Sequence, residues 1–162
     1  MKIIVGADHA GFTHKQALAA ALKKAGHSVD DAGTDSTDSV DYPDFAARVA
    51  HAVADAEAER GILICGTGIG MCMAANKVPG VRAAVVTDAY TAEMSRRHND
   101  ANVLCMGARV QSVEKMEELA RIFLESPFEG GRHAGRVDKI MRLDEIPGGR
   151  DTKIRRAPPT DD

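Results

Sequence analysis

An α/β fold with a parallel sheet covered on both faces is predicted by three features of the sequence. Short β-rich runs alternate with segments of helical period along most of the chain. The clearest of these runs, Gly61-Ile62-Leu63-Ile64-Cys65, is apolar enough to be buried on both sides. It passes directly into the glycine-rich turn Gly66-Thr67-Gly68-Ile69-Gly70, which opens a short helix. Strand–helix alternation with fully buried strands is the pattern of a parallel sheet with helices on both faces.

The elements follow in order. Lys2-Ile3-Ile4-Val5-Gly6 reads as the first strand. A helix from Thr13 to Ala25 places Leu18, Ala21, Leu22 and Ala25 on one face, and Gly26 closes it. His27-Ser28-Val29-Asp30 is a weaker second strand. Residues 31–40, rich in Gly, Ser, Thr and Asp, form a loop. Pro43 suits the first turn of the next helix, in which Phe45, Val49, Ala52, Val53 and Ala56 recur at helical spacing. After strand 61–65 and its glycine turn comes a helix to about Lys77. Arg82 to Thr87 is the fourth strand, 89–97 a helix, and Val103-Leu104-Cys105-Met106 the fifth strand. Helices near 112–125 and 132–145 complete the pattern. The chain thus reads as one domain over 1–146, with a Gly-, Pro- and charge-rich mobile tail at 147–162.

Bulk properties narrow the function classes. The 162 residues suffice for one domain with a core, and 44% hydrophobic with 28% charged residues is ordinary for a soluble protein. A formal net charge of −3 gives no general attraction to nucleic acid or to an anionic membrane, so a bound anion needs a local cationic cluster. No apolar run approaches the ~20 residues of a membrane span. The apolar stretch after Met1 is too short for a signal-peptide core. Cys65, Cys72 and Cys105 lie in apolar contexts without zinc-type spacing, which points to a reducing, cytoplasmic setting and to no bound metal.

Chemistry is expected beyond the carboxyl ends of the strands, where open parallel sheets bind ligands. Strand one leads to Asp8-His9, strand three to Cys65 and the glycine turn, strand five to Gly107-Ala108-Arg109. The helix after strand four ends at His98-Asn99-Asp100, which is counted among these loop positions. Backbone N–H groups of the glycine turn can hold a phosphate or a developing oxyanion; a tight strand-to-helix turn explains the same glycines. Cys65 is either a small apolar residue at a strand end or a thiol that this turn helps to ionise. Arg132 and Arg136 share a helix face beside His133; with Arg109 they can converge on a phosphate monoester, which carries about −1.5 to −2 charges. His14, His27 and His51 read as surface residues. A dinucleotide-binding module is a rival reading, although the glycines are spaced G-x-G-x-G rather than G-x-G-x-x-G.

Taken together, Gly6-Ala7-Asp8-His9-Ala10-Gly11, Asp41-Tyr42-Pro43, the Cys65–Gly70 turn, Ala74-Ala75-Asn76-Lys77, Arg97-His98-Asn99-Asp100-Ala101-Asn102 and Gly130-Gly131-Arg132-His133 resemble B-type ribose-5-phosphate isomerases. That family also contains galactose-6-phosphate and tetrose-phosphate isomerases. The resemblance runs from Met1 to about Leu143. It implies a Rossmann-like α/β/α sandwich with a five-stranded parallel sheet. It also implies a cofactor-free aldose–ketose isomerisation of a sugar phosphate through a cis-enediolate, and a homodimer with shared active sites, with a dimer of dimers as a further assembly. By resemblance, Cys65 is the base, Thr67 with the N–H groups of Gly66, Gly68, Ile69 and Gly70 stabilises the enediolate, and His98 helped by Asp8 opens the sugar ring. Asn99 and Tyr42 meet the sugar, and His9, Arg109, Arg132, His133 and Arg136 surround the phosphate. One branch of the family uses a glutamate just after the glycine turn; Met71 stands there, so the cysteine branch is the one this chain is similar to.

Overall fold

The computed structural model describes residues 1–145; the expected tail at 147–162 lies outside them. Five strands, β1 (Lys2–Ala7), β2 (Ser28–Asp31), β3 (Arg60–Cys65), β4 (Ala83–Val85) and β5 (Val103–Gly107), form one sheet in the order β2-β1-β3-β5-β4. Every pairing is parallel. The helices are α1 (Phe12–Lys24), α2 (Tyr42–Ala54), α3 (Ile69–Ala75), α4 (Ala89–Arg97), α5 (Val113–Glu125) and α6 (Arg132–Arg142), the last followed by a 3₁₀ turn at Leu143–Glu145.

Side chains alternate across a strand, so each central strand feeds two cores. Ile3, Val5, Ala7, Ile62, Ile64, Leu104 and Met106 face one side, against Leu18 of α1, Ala92 of α4 and Met116, Leu119 and Phe123 of α5. Ile4, Leu63, Cys65, Val103 and Cys105 face the other, against Val49 and Val53 of α2 and Met71 and Ala75 of α3. The three-layer sandwich expected from the sequence is therefore present. The connection leaving β3 enters the layer opposite to those leaving β1 and β5. This makes the end of β3 a switch point, where the covering helices diverge and leave a crevice.

Several boundaries differ from the sequence reading. β4 has three residues rather than six, its pairing with β5 covering Ala83 to Val85, and its outer edge is occupied by a side chain. Asn76 accepts from Ala83 N–H at 2.8 Å and donates to Ala83 C=O at 2.9 Å, as a neighbouring strand would. This amide blunts an edge that would otherwise be open to pairing. Ala56 is not helical: α2 ends at Ala54, and Ala56 has φ +57°. The last helix ends at Arg142, and the carboxylate of Asp144 in the turn beyond accepts from Gly80 N–H at 2.9 Å.

The larger core depends on Phe123, which is fully buried between α5 and the sheet. Phe123→Ala should cost about 3–5 kcal/mol. It would appear as a lower urea midpoint at unchanged m-value and fixed protein concentration. A midpoint equal to that of the wild type would show that the layer repacks.

Candidate active site

The ends of β1, β3 and β5 are tied together at Cys65. Asp8 N–H donates to Ile64 C=O, and Ala108 N–H donates to Cys65 C=O at 2.8 Å. Arg109 N–H donates to Gly66 C=O at 3.0 Å. Cys65 is 5% exposed, and its Sγ accepts from Gly68 N–H at 3.2 Å. That bond fixes the rotamer and aims an N–H donor at the sulfur. Gly68 has φ +82°, the left-handed conformation that lets the chain reverse over the thiol. At Gly107 the constraint is space: a Cβ there would lie 2.7 Å from Thr67 Cα. The end of β5 thus presses Thr67 outward, where it is exposed and accepts from Ile69 N–H at 3.4 Å. Since α3 has only seven residues, local N–H groups rather than a long helix dipole supply the positive potential.

Other predicted residues gather at this edge. A Cβ on Gly70 would meet the Tyr42 ring at 2.7 Å, and one on Gly66 would touch the Arg109 side chain at 3.5 Å. Tyr42 and Arg109 therefore flank the turn. Asp8 is buried, and its Oδ1 accepts from Ala10 N–H at 2.9 Å and Gly11 N–H at 3.1 Å, capping the entry to α1. His9 Nδ1 accepts from Val40 N–H at 3.2 Å.

His98 and Asn99 do not join this group, which corrects the reading that placed them beyond the carboxyl ends of the strands. Helix α4 runs back against the strand direction, so its last residues lie at the sheet's starting edge. There Asn102 C=O accepts from Gly61 N–H, and Asn102 N–H donates to Arg82 C=O. Cys65 is four residues farther along β3 than Gly61, about 13 Å at the rise of a parallel strand. Helix α5 returns to the same starting edge and delivers α6 there. The His133 ring stacks on His98 with centroids 4.2 Å apart and planes 6° from parallel. Arg132 and Arg136 stand exposed on the same helix. Within one chain, His98 and Asp8 therefore occupy opposite edges.

The second cluster contains a residue that the sequence reading missed. Glu129 Oε2 lies 3.7 Å from His98 Nε2 and 3.6 Å from His133 Nε2, and Glu129 also pairs with Arg97. Its neighbour Gly130 was noticed only as part of a motif, because an exposed glutamate before two glycines looks like any loop acid. Hydrogen bonding to Arg97 lowers the Glu129 pKa, so this carboxylate stays charged. Burial, then the adjacent His98, lowers the His133 pKa. The three side chains lie close enough to suggest a metal trio. However, lone pairs of parallel rings do not converge on one point, so one ring would have to tilt before both could share an ion.

The cysteines also separate. Cys105 is fully buried, whereas Cys72 is only half-buried, contrary to the expectation of three buried thiols. The Cys72 pKa is lowered to about 7, chiefly by a hydrogen bond with the Cys105 thiol. Yet Cys72 Sγ faces β4, 3.3 Å from Ala83 C=O, away from the glycine turn. A cavity of about 400 Å³ lies on that same flank, lined by Asn76, Arg82, Tyr90, Met94, Asn99 and Ile140. Among the described residues, no helix is long and apolar enough to cross a membrane.

Known proteins match this arrangement along nearly its whole length. Residues 3–140 fit the family model described as Ribose/Galactose Isomerase. Ribose-5-phosphate isomerase B of Escherichia coli is 46% identical over 144 residues, covering 89% of this chain and 97% of that protein. The solved structure of ribose-5-phosphate isomerase B from Clostridium thermocellum superposes with a TM-score of 0.88 at 52% identity, covering 90% of this chain and 98% of the other. That of the Mycoplasma genitalium enzyme, with bound ribulose-5-phosphate, gives 0.85 at 45% identity over 88% and 95%. Matched by that family model over most of its length, and sharing fold and about half of its residues with these proteins, this chain belongs to the ribose/galactose isomerase family.

Proposed function

We propose that this chain interconverts ribose 5-phosphate and ribulose 5-phosphate. One observation carries the reading: the Cys65 thiol is held by a glycine-turn N–H where the ends of β1, β3 and β5 converge. The proton on C2 of an opened aldose needs a base beside it, and the neighbouring oxygens need donors where negative charge develops. Cys65, as the thiolate, takes that proton and returns it to C1 while the O2 proton passes to O1, so the sulfur ends as the thiolate it began and the substrate's protons balance. Thr67 and the N–H groups of Gly66, Gly68, Ile69 and Gly70 stabilise the enediolate between the two transfers. Tyr42, against Gly70, walls the sugar. The substrate and the three free thiols suit a reducing, cytoplasmic setting.

The remaining groups are best supplied by a second copy. A two-fold dimer that sets the strand-end edge of one subunit against the starting edge of the other brings the two half-sites together twice. Asp8, His9, Tyr42, Cys65, Thr67 and Arg109 then face the partner subunit's His98, Asn99, Arg132, His133 and Arg136. In that assembly His98 assists ring opening with Asp8, Asn99 holds sugar hydroxyls, and the arginines with His9 and His133 surround the phosphate. Tyr42, Ile69, Met73 and Val110 are each at least 41% exposed at the strand-end edge, which supplies apolar surface for such a contact.

Cys65→Ala should keep the fold and the affinity for sugar phosphate but lose kcat by roughly 10²–10⁴-fold. Cys72→Ala, although the Cys72 thiol has a pKa lowered to about 7, should keep a wild-type kcat. The reverse ranking would move the base to Cys72.

Ring opening can be separated from proton transfer. A tetrose 4-phosphate cannot close a furanose, because its O4 carries the phosphate. If the enzyme accepts both sugars, His98→Asn should harm turnover of ribose 5-phosphate far more than that of the tetrose. Equal losses would remove His98 from ring opening. The same comparison of kcat/KM across four-, five- and six-carbon aldose phosphates tests the assigned substrate.

The shared site predicts complementation. Cys65→Ala and Arg136→Glu, each inactive alone, are unfolded and refolded together in equal amounts. Half the dimers are then mixed, and in each one site carries both lesions while the other carries neither. About a quarter of wild-type activity should return by this symmetry. Verified mixed dimers without turnover would place both residues in the same chain's site.

A further inference from the structure

Lys15 is a basic residue of α1 that the proposed chemistry does not use, yet it is 2% exposed. Its ammonium lies 2.7 Å from both carboxylate oxygens of Asp31 and 2.7 Å from Thr34 C=O, and the Phe12 ring is 5.6 Å away. All of its donors are therefore directed at the last residue of β2 and the segment that follows it. That segment continues the sheet beyond the strand: Ala32 N–H donates to Val5 C=O and Thr34 N–H to Ala7 C=O. Gly33 passes so close that a Cβ would fall 2.6 Å from Ala7 N and 2.7 Å from Lys15 Cδ. Burying an ammonium costs more than burying an apolar chain of equal volume, so stability alone is a weak reason for a lysine here.

The fixed segment leads to the site. Six residues after Thr34, Val40 N–H donates to His9 Nδ1, and two residues later Tyr42 lies against Gly70. A neutral imidazole that accepts at Nδ1 must carry its proton on Nε2. His9 then presents an N–H, rather than a lone pair, with its free nitrogen. An N–H is what a phosphate oxygen requires, since phosphate oxygens are strong acceptors.

We infer that Lys15 is a positioning residue of the isomerase: by clamping residues 31–34 it fixes the 35–41 loop, whose Val40 N–H holds His9 in the Nε2–H tautomer. The catalytic consequence rests on the phosphate role proposed for His9; the tautomer itself does not. When the clamp is loosened, the Val40 donor withdraws and the Nδ1–H tautomer competes. A fraction of the enzyme then turns a lone pair toward the phosphate.

The test uses Lys15→Met in the full chain, with His9 imidazole signals assigned by their loss in His9→Ala. Long-range ¹H–¹⁵N correlation should show the Nε2–H form in the wild type and exchange between both tautomers in Lys15→Met. KM for ribose 5-phosphate should rise in inverse proportion to the Nε2–H fraction, about two-fold when the two tautomers are equally populated, with kcat unchanged. In the His9→Ala background the same substitution should leave KM nearly unchanged, because two residues acting through one contact are not additive. If Lys15→Met does not fold, Asp31→Asn, altered on the half-exposed side of the clamp, carries the same measurements with smaller changes in the same direction. A folded clamp variant with an unchanged His9 tautomer overturns the inference, as does full additivity with His9→Ala. If His9→Ala itself leaves KM unchanged, the phosphate role fails, while the tautomer measurement still decides whether the clamp acts on His9.

Discussion

In a parallel sheet every connecting helix carries the chain back to the edge where strands begin. Residues at strand ends and residues at helix ends are thereby held at opposite edges, whatever their distance in sequence. For β3 that separation is about 13 Å, too far for an imidazole at the end of α4 to reach a thiol at the end of β3. The proposed chemistry needs both kinds of position, since the enediolate site is built from strand ends and the ring-opening and phosphate groups from helix ends. A single copy offers two half-sites facing away from each other. On the proposed chemistry, the need for a partner follows from the direction of the chain rather than from any particular contact.

The strand-end half-site is rigid for reasons of backbone chemistry. Cys65 and Gly66 lend their carbonyls to Ala108 and Arg109, and Gly68 lends its N–H to the thiol. Little of this depends on flexible side chains, so the geometry around the sulfur is set when the sheet forms. The other half-site depends on side chains. It consists of a histidine stack, a glutamate and arginines on a helix that contributes only His133 and Val137 to the buried interior. Such a surface is completed by whatever packs on it.

The order of strands and helices was legible because apolar periodicity reports burial, and doubly buried strands alternating with helices are the pattern of a layered α/β fold. Gly26 marked a helix end by its own local chemistry. The strand-end residues were legible for the same reason, since the residue after an apolar run is at that edge by definition. His98 was misplaced because it was read as a loop residue without regard to the direction of α4, which a parallel sheet fixes as opposite to the strands. The short β4 and the helical limit at Ala54 escaped as well. The first is set by how far β4 stays paired with β5, the second by a positive φ at an alanine, and neither has a sequence signature. Glu129 and Lys15 went unremarked because each gains its partners only when distant segments meet.

Charge completes the argument. The chain is net negative at −3, so a dianionic phosphate is attracted only where cations are concentrated. Arg132 and Arg136 are crowded on one helix beside His133, whose lowered pKa keeps it neutral more readily among these cations. In the proposed dimer, Arg109 and His9 reach the same phosphate from the other subunit. A ligand that bridges two subunits binds the dimer and not the separated chains, so it stabilises the dimer by its own binding free energy. By the same linkage, dimerisation raises substrate affinity by the factor by which substrate raises dimer affinity. Sugar phosphate and partner are then coupled ligands of one half-site, and the repulsion among its cations is relieved only when both are present.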